Sequence, residues 1–412
     1  MEKLNYAVLK QSGYTGYILE KAPEKVLQFG EGNFLRAFVN YWFDLANEKA
    51  GWNGKCCLVQ PIAPGLANMI NEQEGLYTLY LRGSQNGQKV DDKRVISCVS
   101  RCLNPYEEEG FNEMMKLAVS DDLEIIVSNT TEAGIKYVEG DDIFAPVPKS
   151  YPAKMTSLLY RRFKHFGGDT ERGVAVVCCE LIEDNGSTLR EYVLRHAQAS
   201  NLEQEFVDWL MESCCFCDSL VDRIVSGFPA DRIDELKQEI GYDDNAVVVG
   251  ELYYLWVIGG DGYDWVQHLM PLDKAGLNVV FTPSVKEYRD KKVRILNGSH
   301  TGMVAMSLLM GCESVYEAFS TPDIVTFVNK MVREEVLPMI SGDRAELEAF
   351  AAGILERFYN PYIKHLLKSI SLNSLSKWET RNYPTLWDNW TRLGQAAACE
   401  SLTFAALMAY YS

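Results

Sequence analysis

Long apolar runs are missing from this sequence. Nowhere do about 18 apolar residues follow one another, the length that a membrane-spanning helix needs, so no membrane span is expected. The first residues, MEKLNYAVLKQSGYTGYILEK, contain no continuous apolar core of export-signal length, and a cytoplasmic location is expected. Basic residues are outnumbered: 40 Lys and Arg stand against 57 Asp and Glu, a formal charge of −17. With no cationic excess to displace phosphate counterions, nucleic-acid binding is excluded as a class. Histidine is scarce, and none of the 5 stands at zinc spacing from a cysteine. The 11 cysteines form no pair of CxxC knuckles. Most lie in apolar runs such as KCCLVQ and VAVVCCE, where a thiol behaves as a small hydrophobe, so reduced core thiols and no metal are expected.

What is present suits a globular protein. Hydrophobic residues make up 47% of the 412, enough for two or three packed domains. Short β-branched runs alternate with helical patterns through the first two-thirds: KVLQFG (25–30), KCCLVQ (55–60), YTLYLRG (77–83), VISCVSRCL (95–103), LEIIVSN (123–129), VAVVCCE (174–180), NAVVVGE (245–251) and LNVVFTP (277–283). Several are apolar throughout, as strands covered on both faces of a parallel sheet are. YTLYLRG and VISCVSRCL flank the turn-rich SQNGQ and read as an antiparallel hairpin added to that sheet. After about residue 284 the strand signals stop. TPDIVTFVNKMVREEVLPMI reads as one helix with Thr321 as N-cap, Pro322 at the first helical position, and Ile324, Phe327, Val328, Met331 and Val332 on one face. Asp343 and Glu346 stand at capping-box spacing at the head of DRAELEAFAAGILERF. The expectation is an α/β, Rossmann-like doubly wound N-terminal domain over 1–284 and a mainly α-helical C-terminal domain over 285–412. No internal repeat is evident.

KVLQFGEGNFLRAF (25–38) runs from a strand into Gly30-Glu31-Gly32 and then a helix. Glycines at such a turn let a dinucleotide's pyrophosphate approach the backbone. The fingerprint is incomplete, because leucine stands at position 35 where a third glycine is usual, and a plain glycine turn reads the same way. Candidate cofactor contacts are Leu27, Gln28, Phe29, Gly30, Glu31, Gly32, Asn33, Phe34, Leu35 and Arg36. Ser128, Asn129 and Thr130, with Thr131, form a second group where VSNTTEAGI leaves the sheet. A plain polar strand-end loop is the alternative there. The acid that usually binds the ribose at the end of the second strand is absent; KCCLVQPIAPG offers Gln60, so the choice between NAD and NADP is not readable from that rule.

KVRILNGSH (292–300) sets Lys292, Asn297 and His300 at the junction of the two domains, at the start of an otherwise apolar helical segment. On an α-helix at about 100° per residue, Asn297 falls about 140° and His300 about 80° round from Lys292, within one broad face. Hydride transfer to a carbonyl needs a proton donor and hydrogen bonds for the growing alkoxide. Lys292 can exchange that proton if burial and the neighbouring Lys291 and Arg294 disfavour its ammonium. Asn297 can donate to the oxyanion and His300 can orient. A solvated basic helix start followed by a buried polar cluster is the bland alternative.

These residues resemble the polyol-specific long-chain dehydrogenases, the mannitol dehydrogenase family, whose signature is Lys, four residues, Asn, two residues, His. Further blocks are similar in order: QFGEGNFLRAF (28–38), VSNTTEAG (127–134), CELIEDNG (179–186), SLVDRIVSGFP (219–229), YLWVI (254–258) and RFYNPYIKHLLKSI (357–370). The resemblance covers most of the chain. It implies a catalytic Lys292, Asn297 and His300, NAD (NADH) as cofactor and no metal. The wording of the blocks is nearest to members that reduce the hexuronate tagaturonate to altronate. Polyol-type members carry an asparagine, a second oxyanion donor, where this chain has Leu181. A hexuronate carries a carboxylate, for which His365, Lys377 and Arg381 are the candidate contacts. Rivals are a member acting on fructuronate, mannitol or a sugar phosphate, and a non-catalytic NAD sensor. Family members continue beyond LTFAALMAYYS, so a tail or internal loops are expected to be missing here.

Overall fold

In the computed structural model, residues 1–85, 88–130 and 133–412 are described. The Asn86-Gly87 pair of the expected SQNGQ turn, and Thr131, lie outside the described residues. The chain divides into two compact units. The first comprises Met1–Arg82 and Asp91–Val285; the second comprises Gly83–Val90 and Lys286–Ser412.

Twelve strands are described: β1 (Glu24–Phe29), β2 (Lys55–Val59), β3 (Tyr77–Gln85), β4 (Gln88–Ile96), β5 (Val99–Leu103), β6 (Ile125–Ser128), β7 (Ala175–Cys178), β8 (Cys215–Asp222), β9 (Val225–Gly227), β10 (Val248–Glu251), β11 (Leu255–Gly259) and β12 (Val279–Thr282). Eight form one sheet in the order β12-β11-β8-β7-β6-β1-β2-β5. From β5 to β8 every pairing is parallel; β8 meets β11 antiparallel. Alternate residues serve two cores: Val26, Leu58, Val127 and Val177 pack on one face, Leu27, Phe29, Val59, Ile126 and Val176 on the other. That is why these strands read as unbroken apolar runs, and it bears out the doubly wound class. β1 has β2 on one side and β6 on the other, so the chain order reverses there. Ligands of such folds bind outside the carboxyl ends of the strands at that point.

The expected hairpin differs in place. β3 and β4 belong to a second sheet, ordered β4-β3-β10-β9, rather than to the large one. VISCVSRCL is two strands, not one. Between them the buried Asp44 accepts from the Ser97 backbone and hydroxyl at 2.8 and 3.1 Å, which ends β4 and redirects the chain. NAVVVGE likewise pairs parallel with β3 instead of joining the large sheet.

The second unit is helical from Lys286 onward. Asp343 caps Arg344–Phe358, accepting from the backbones of Ala345 and Glu346 at 2.9 and 3.0 Å. A cap of this kind contributes about 1 kcal/mol. TPDIVTFVNKMVREEVLPMI is not one regular helix: Pro322–Lys330 is α-helical, Met331–Val336 a π-helix and Leu337–Met339 a 3-10 turn. Its apolar face is buried as expected at Ile324, Val328, Met331 and Val332, with Phe327 partly buried. Among the described residues no helix is long and apolar enough to cross a membrane.

Candidate functional site

In the first unit, the glycine turn lies at the reversal of strand order. Gly30 donates to Val59 O at the end of β2 (2.8 Å), and Asn129 donates to Phe29 O from the end of β6 (2.9 Å). Gly30 has φ +128, and a β-carbon there would sit 2.9 Å from Leu35 Cδ1 and 3.1 Å from Asn129 O. Only glycine fits. A β-carbon on Gly32 would enter open space, so the cradle above the turn is clear for a ligand's approach. The helix that follows, Asn33–Ala37, is short, and the chain kinks at Phe38 before Val39–Ala50.

The other residues expected at this turn divide by role. Leu27, Phe29 and Leu35 point into the core, where Phe29 lies 4.8 Å from the Tyr151 ring. Leu35, standing in place of the third glycine, packs the turn from within. Gln28 is buried; it donates to Gly30 O (2.8 Å) and exchanges bonds with Asn40, bracing the turn from beneath. Arg36 is also buried, donating to Glu31 O, Asn33 Oδ1 and Ala246 O with its guanidinium over the Tyr77 ring. The side chains of Leu27, Phe29, Leu35 and Arg36 thus shape the turn from within, which leaves their backbone as the part that could face a cofactor. Phe34 stacks on Phe38 at 5.2 Å. At the β6 end, Ser128 Oγ and the Thr130 backbone and hydroxyl all donate to the buried Glu180. Burial pushes the Glu180 carboxyl up, and the hydrogen bonds from Thr130 and Ser128 counter it. Asn129 stays half-buried between them. The turn fits a dinucleotide: a backbone that admits no side chain at Gly30, and an open approach at Gly32.

In the second unit, Lys292–Asn297 is a π-helix set between the α-helices Lys286–Lys291 and Gly298–Leu309. The arithmetic of 100° per residue therefore fails here. A π-turn closes hydrogen bonds between residues five apart, the separation of Lys292 and Asn297, so their side chains come to one side. Such turns occur often at functional sites. Lys292 is 6% exposed and His300 7%. Asn297 is half-buried, and its side chain makes no hydrogen bond with the described residues.

His300 stacks on Phe358 at 4.2 Å and meets His365 edge-on at 5.0 Å. His300 Nε2 and His365 Nδ1 are both buried with no hydrogen-bond partner among the described residues. Burial, then His365, Arg357, Arg381 and Lys292, hold His300 well below the usual imidazole range. Burial and Arg357 lower His365 to about 4. Two neutral imidazoles thus sit among cations in a chain whose net charge is −17. That combination suits an anion carrying hydroxyl groups.

The remaining candidates are placed as follows. Arg381 donates to Thr301 Oγ1 at 3.2 Å, one turn from Asn297. Lys377 donates to Ile370 O at 2.9 Å, at the end of Leu367–Ser371. Arg294, expected to press on Lys292, pairs with Asp388 at 2.6 Å. The sequence reading passed over Arg357, although it opens RFYNPYIKHLLKSI; its lone cation near the end of an apolar helix was the available signal. Leu181 is 52% exposed in the first unit. Among the described residues no cluster of three or more His, Cys, Asp or Glu could hold a metal.

Both units of the chain resemble known proteins. The family model described as the mannitol dehydrogenase Rossmann domain matches residues 24–265, and the mannitol dehydrogenase C-terminal domain matches 284–412. An altronate oxidoreductase of Bacillus subtilis (strain 168) is 43% identical over 412 residues, all of this chain and 83% of that protein. One of Escherichia coli O6:K15:H31 is 43% identical over 390 residues, 94% of this chain and 80% of that protein. Among solved structures, the Pseudomonas fluorescens mannitol 2-dehydrogenase ternary complex with NAD and D-mannitol aligns with a TM-score of 0.81 at 24% identity, over 99% of this chain and 84% of that one. A D-sorbitol dehydrogenase in substrate-free form aligns at 0.82 with 21% identity, over 99% and 85%. At these identities the two structures speak for the fold.

Proposed function

The chain belongs to the mannitol dehydrogenase family, and from that premise we propose that it is an NAD-dependent oxidoreductase interconverting tagaturonate and altronate. The observation that carries the substrate class is the pair of neutral histidines set among Arg357, Arg381 and Lys292 in an acidic protein. A neutral polyol has no use for that much positive charge; a sugar acid has a carboxylate to place in it. The curated relatives at 43% identity are altronate oxidoreductases, which points the same way.

The turn at Gly30 and Gly32, with Asn129 beside it, would hold the dinucleotide, which when bound supplies the hydride. The chain's own residues then manage the oxygen. Lys292 Nζ gives its proton to the carbonyl oxygen as that oxygen becomes an alkoxide, and takes a proton back in the reverse direction. Asn297, its amide uncommitted, donates to the oxyanion. His300, neutral and stacked on Phe358, presents Nε2 to a substrate oxygen. Arg357 and Arg381, with His365, receive the carboxylate. Polyol-type members carry an amide donor where this chain has Leu181, and Asn297 is the oxyanion donor proposed for this chain.

The test is NADH oxidation at 340 nm with tagaturonate, fructuronate and fructose in parallel, on the wild type and Lys292→Ala. Tagaturonate turnover well above the others is expected. In Lys292→Ala, turnover is expected to fall by about 10²-fold or more while NADH binding persists. Fructose as the preferred substrate would refute the sugar-acid reading, and retained turnover in the variant would refute the lysine's role.

A further inference from the structure

A dinucleotide-binding sheet of this kind usually carries a carboxylate at the end of its second strand, where it accepts the adenosine ribose 2′-hydroxyl and repels a 2′-phosphate. Here that position is Gln60, and the structure shows that Gln60 is spent elsewhere. It is 3% exposed; its amide donates to Ile62 O and Ala63 O at 3.1 and 2.7 Å and its oxygen accepts from Ala67. Gln60 braces its own loop and presents nothing to a ribose.

A carboxylate reaches the same place from the neighbouring turn. Glu31, between Gly30 and Gly32, accepts from the backbone of Leu66 in the loop after β2, Leu66 N to Glu31 Oε1 at 3.2 Å. Glu31 is 5% exposed, and its second oxygen, Oε2, is buried with no hydrogen-bond partner among the described residues. The carboxylate thus lies against the ends of β2 and β5. Beside burial, its charge contributes to raising both the Cys102 thiol and the Tyr106 phenol at the β5 end. A buried acceptor without a donor is costly to keep. The loop closing over it is exposed from Ile62 to Gly65 and carries little packing that would resist a ligand.

The same neighbourhood lacks what a 2′-phosphate would need. No Lys or Arg occurs in QPIAPGLANMIN (60–71). The cation beyond Tyr106, Lys154, is 3% exposed, donates to Lys149 O at 2.8 Å and lies 4.5 Å from the centre of the Tyr106 ring. It is committed to the protein.

We infer that Glu31 replaces the missing second-strand acid, accepting the ribose 2′-hydroxyl through Oε2 and selecting NAD(H) over NADP(H). The inference rests on the dinucleotide reading of the Gly30 turn. Dissociation constants for NADH and NADPH are measured by isothermal titration on the wild type and on Glu31→Gln, with the thermal midpoint of each. The wild type is expected to prefer NADH. Glu31→Gln should weaken NADH by about tenfold or more, because a hydrogen bond to a charged acceptor is lost, and should narrow the NADH-to-NADPH preference by at least the same factor. Equal weakening of both would show that Glu31 serves only to hold Leu66, and would overturn the inference. A variant that does not fold leaves a second measurement on the wild type. 2′-Deoxy-NADH should bind about tenfold more weakly than NADH, and equal affinity would overturn the inference as surely. A wild type that binds neither dinucleotide would refute the cofactor reading itself, and Glu31's role with it.

Discussion

Glu400 is the residue whose replacement should make the protein more stable. It lies in the first turn of Ala398–Tyr411, 1% exposed, with Oε2 accepting from Asn382 Nδ2 at 2.9 Å. Glu335 is close by, its two oxygens capping the same helix through the backbones of Cys399 and Glu400 at 2.7 and 2.9 Å. Burial, reinforced by Glu335 and opposed by the hydrogen bonds from Asn382 and Thr403, raises Glu400 from 4.5 to about 8. Between those values the folded protein keeps a proton that the unfolded chain has released. The stabilisation is therefore complete below about 4.5 and is lost as pH rises towards about 8. At about 1.4 kcal/mol per pH unit, the loss over the window is on the order of 5 kcal/mol. Glu400→Gln keeps the side-chain shape and an oxygen for Asn382 while removing the titration. Urea unfolding of both proteins at constant ionic strength should show the variant gaining on the wild type by roughly 4 kcal/mol between about pH 5 and pH 8. A difference that stays constant over that range, or shrinks, would refute the reasoning.

Two further outcomes follow from the geometry. Gly30→Ala places a β-carbon against Asn129 O at a φ of +128, so it should cost about 1–3 kcal/mol of stability and weaken NADH binding in a fluorescence titration; unchanged affinity would remove the Gly30 turn from the cofactor site. Arg357→Met keeps the aliphatic length and removes the charge beside His365, so steady-state assays should find the KM for tagaturonate raised about tenfold or more, with little change for a neutral ketose. Equal effects on both substrates would mean that Arg357 supports the fold rather than the carboxylate.

Legibility in the sequence followed the range of the forces involved. β1, the glycine turn and the Asp343 cap were readable because each is decided within a few residues: strand patterning, a positive φ, a side chain meeting its own backbone. Strands that depend on distant partners were less readable. β4, QKVDDKRVI, is mostly exposed and polar, and β8, CFCDSLVD, is interrupted by Asp218 and Asp222; both are strands because of the neighbours they pair with. Long-range partners also decided the charges. Arg294 was expected to act on Lys292, two positions away on the same turn, but it also pairs with Asp388, 94 residues down the chain. Arg357 escaped notice because only folding brings it to the two histidines.

The Asn297-Gly298 pair adopts a conformation that its residue types do not announce. In most sequences such a pair marks a tight turn. Here Gly298 has ordinary helical φ and ψ, −63° and −43°, and needs no left-handed freedom. A β-carbon on Gly298 would lie 3.4 Å from Arg381 O, and its carbonyl accepts from Asn382 Nδ2 at 3.0 Å. The end of Ser374–Arg381 lies against the junction of the π-turn and the helix that follows. That approach sets the Arg381 guanidinium on Thr301, next to His300, while the wider turn just before it gathers Lys292 and Asn297.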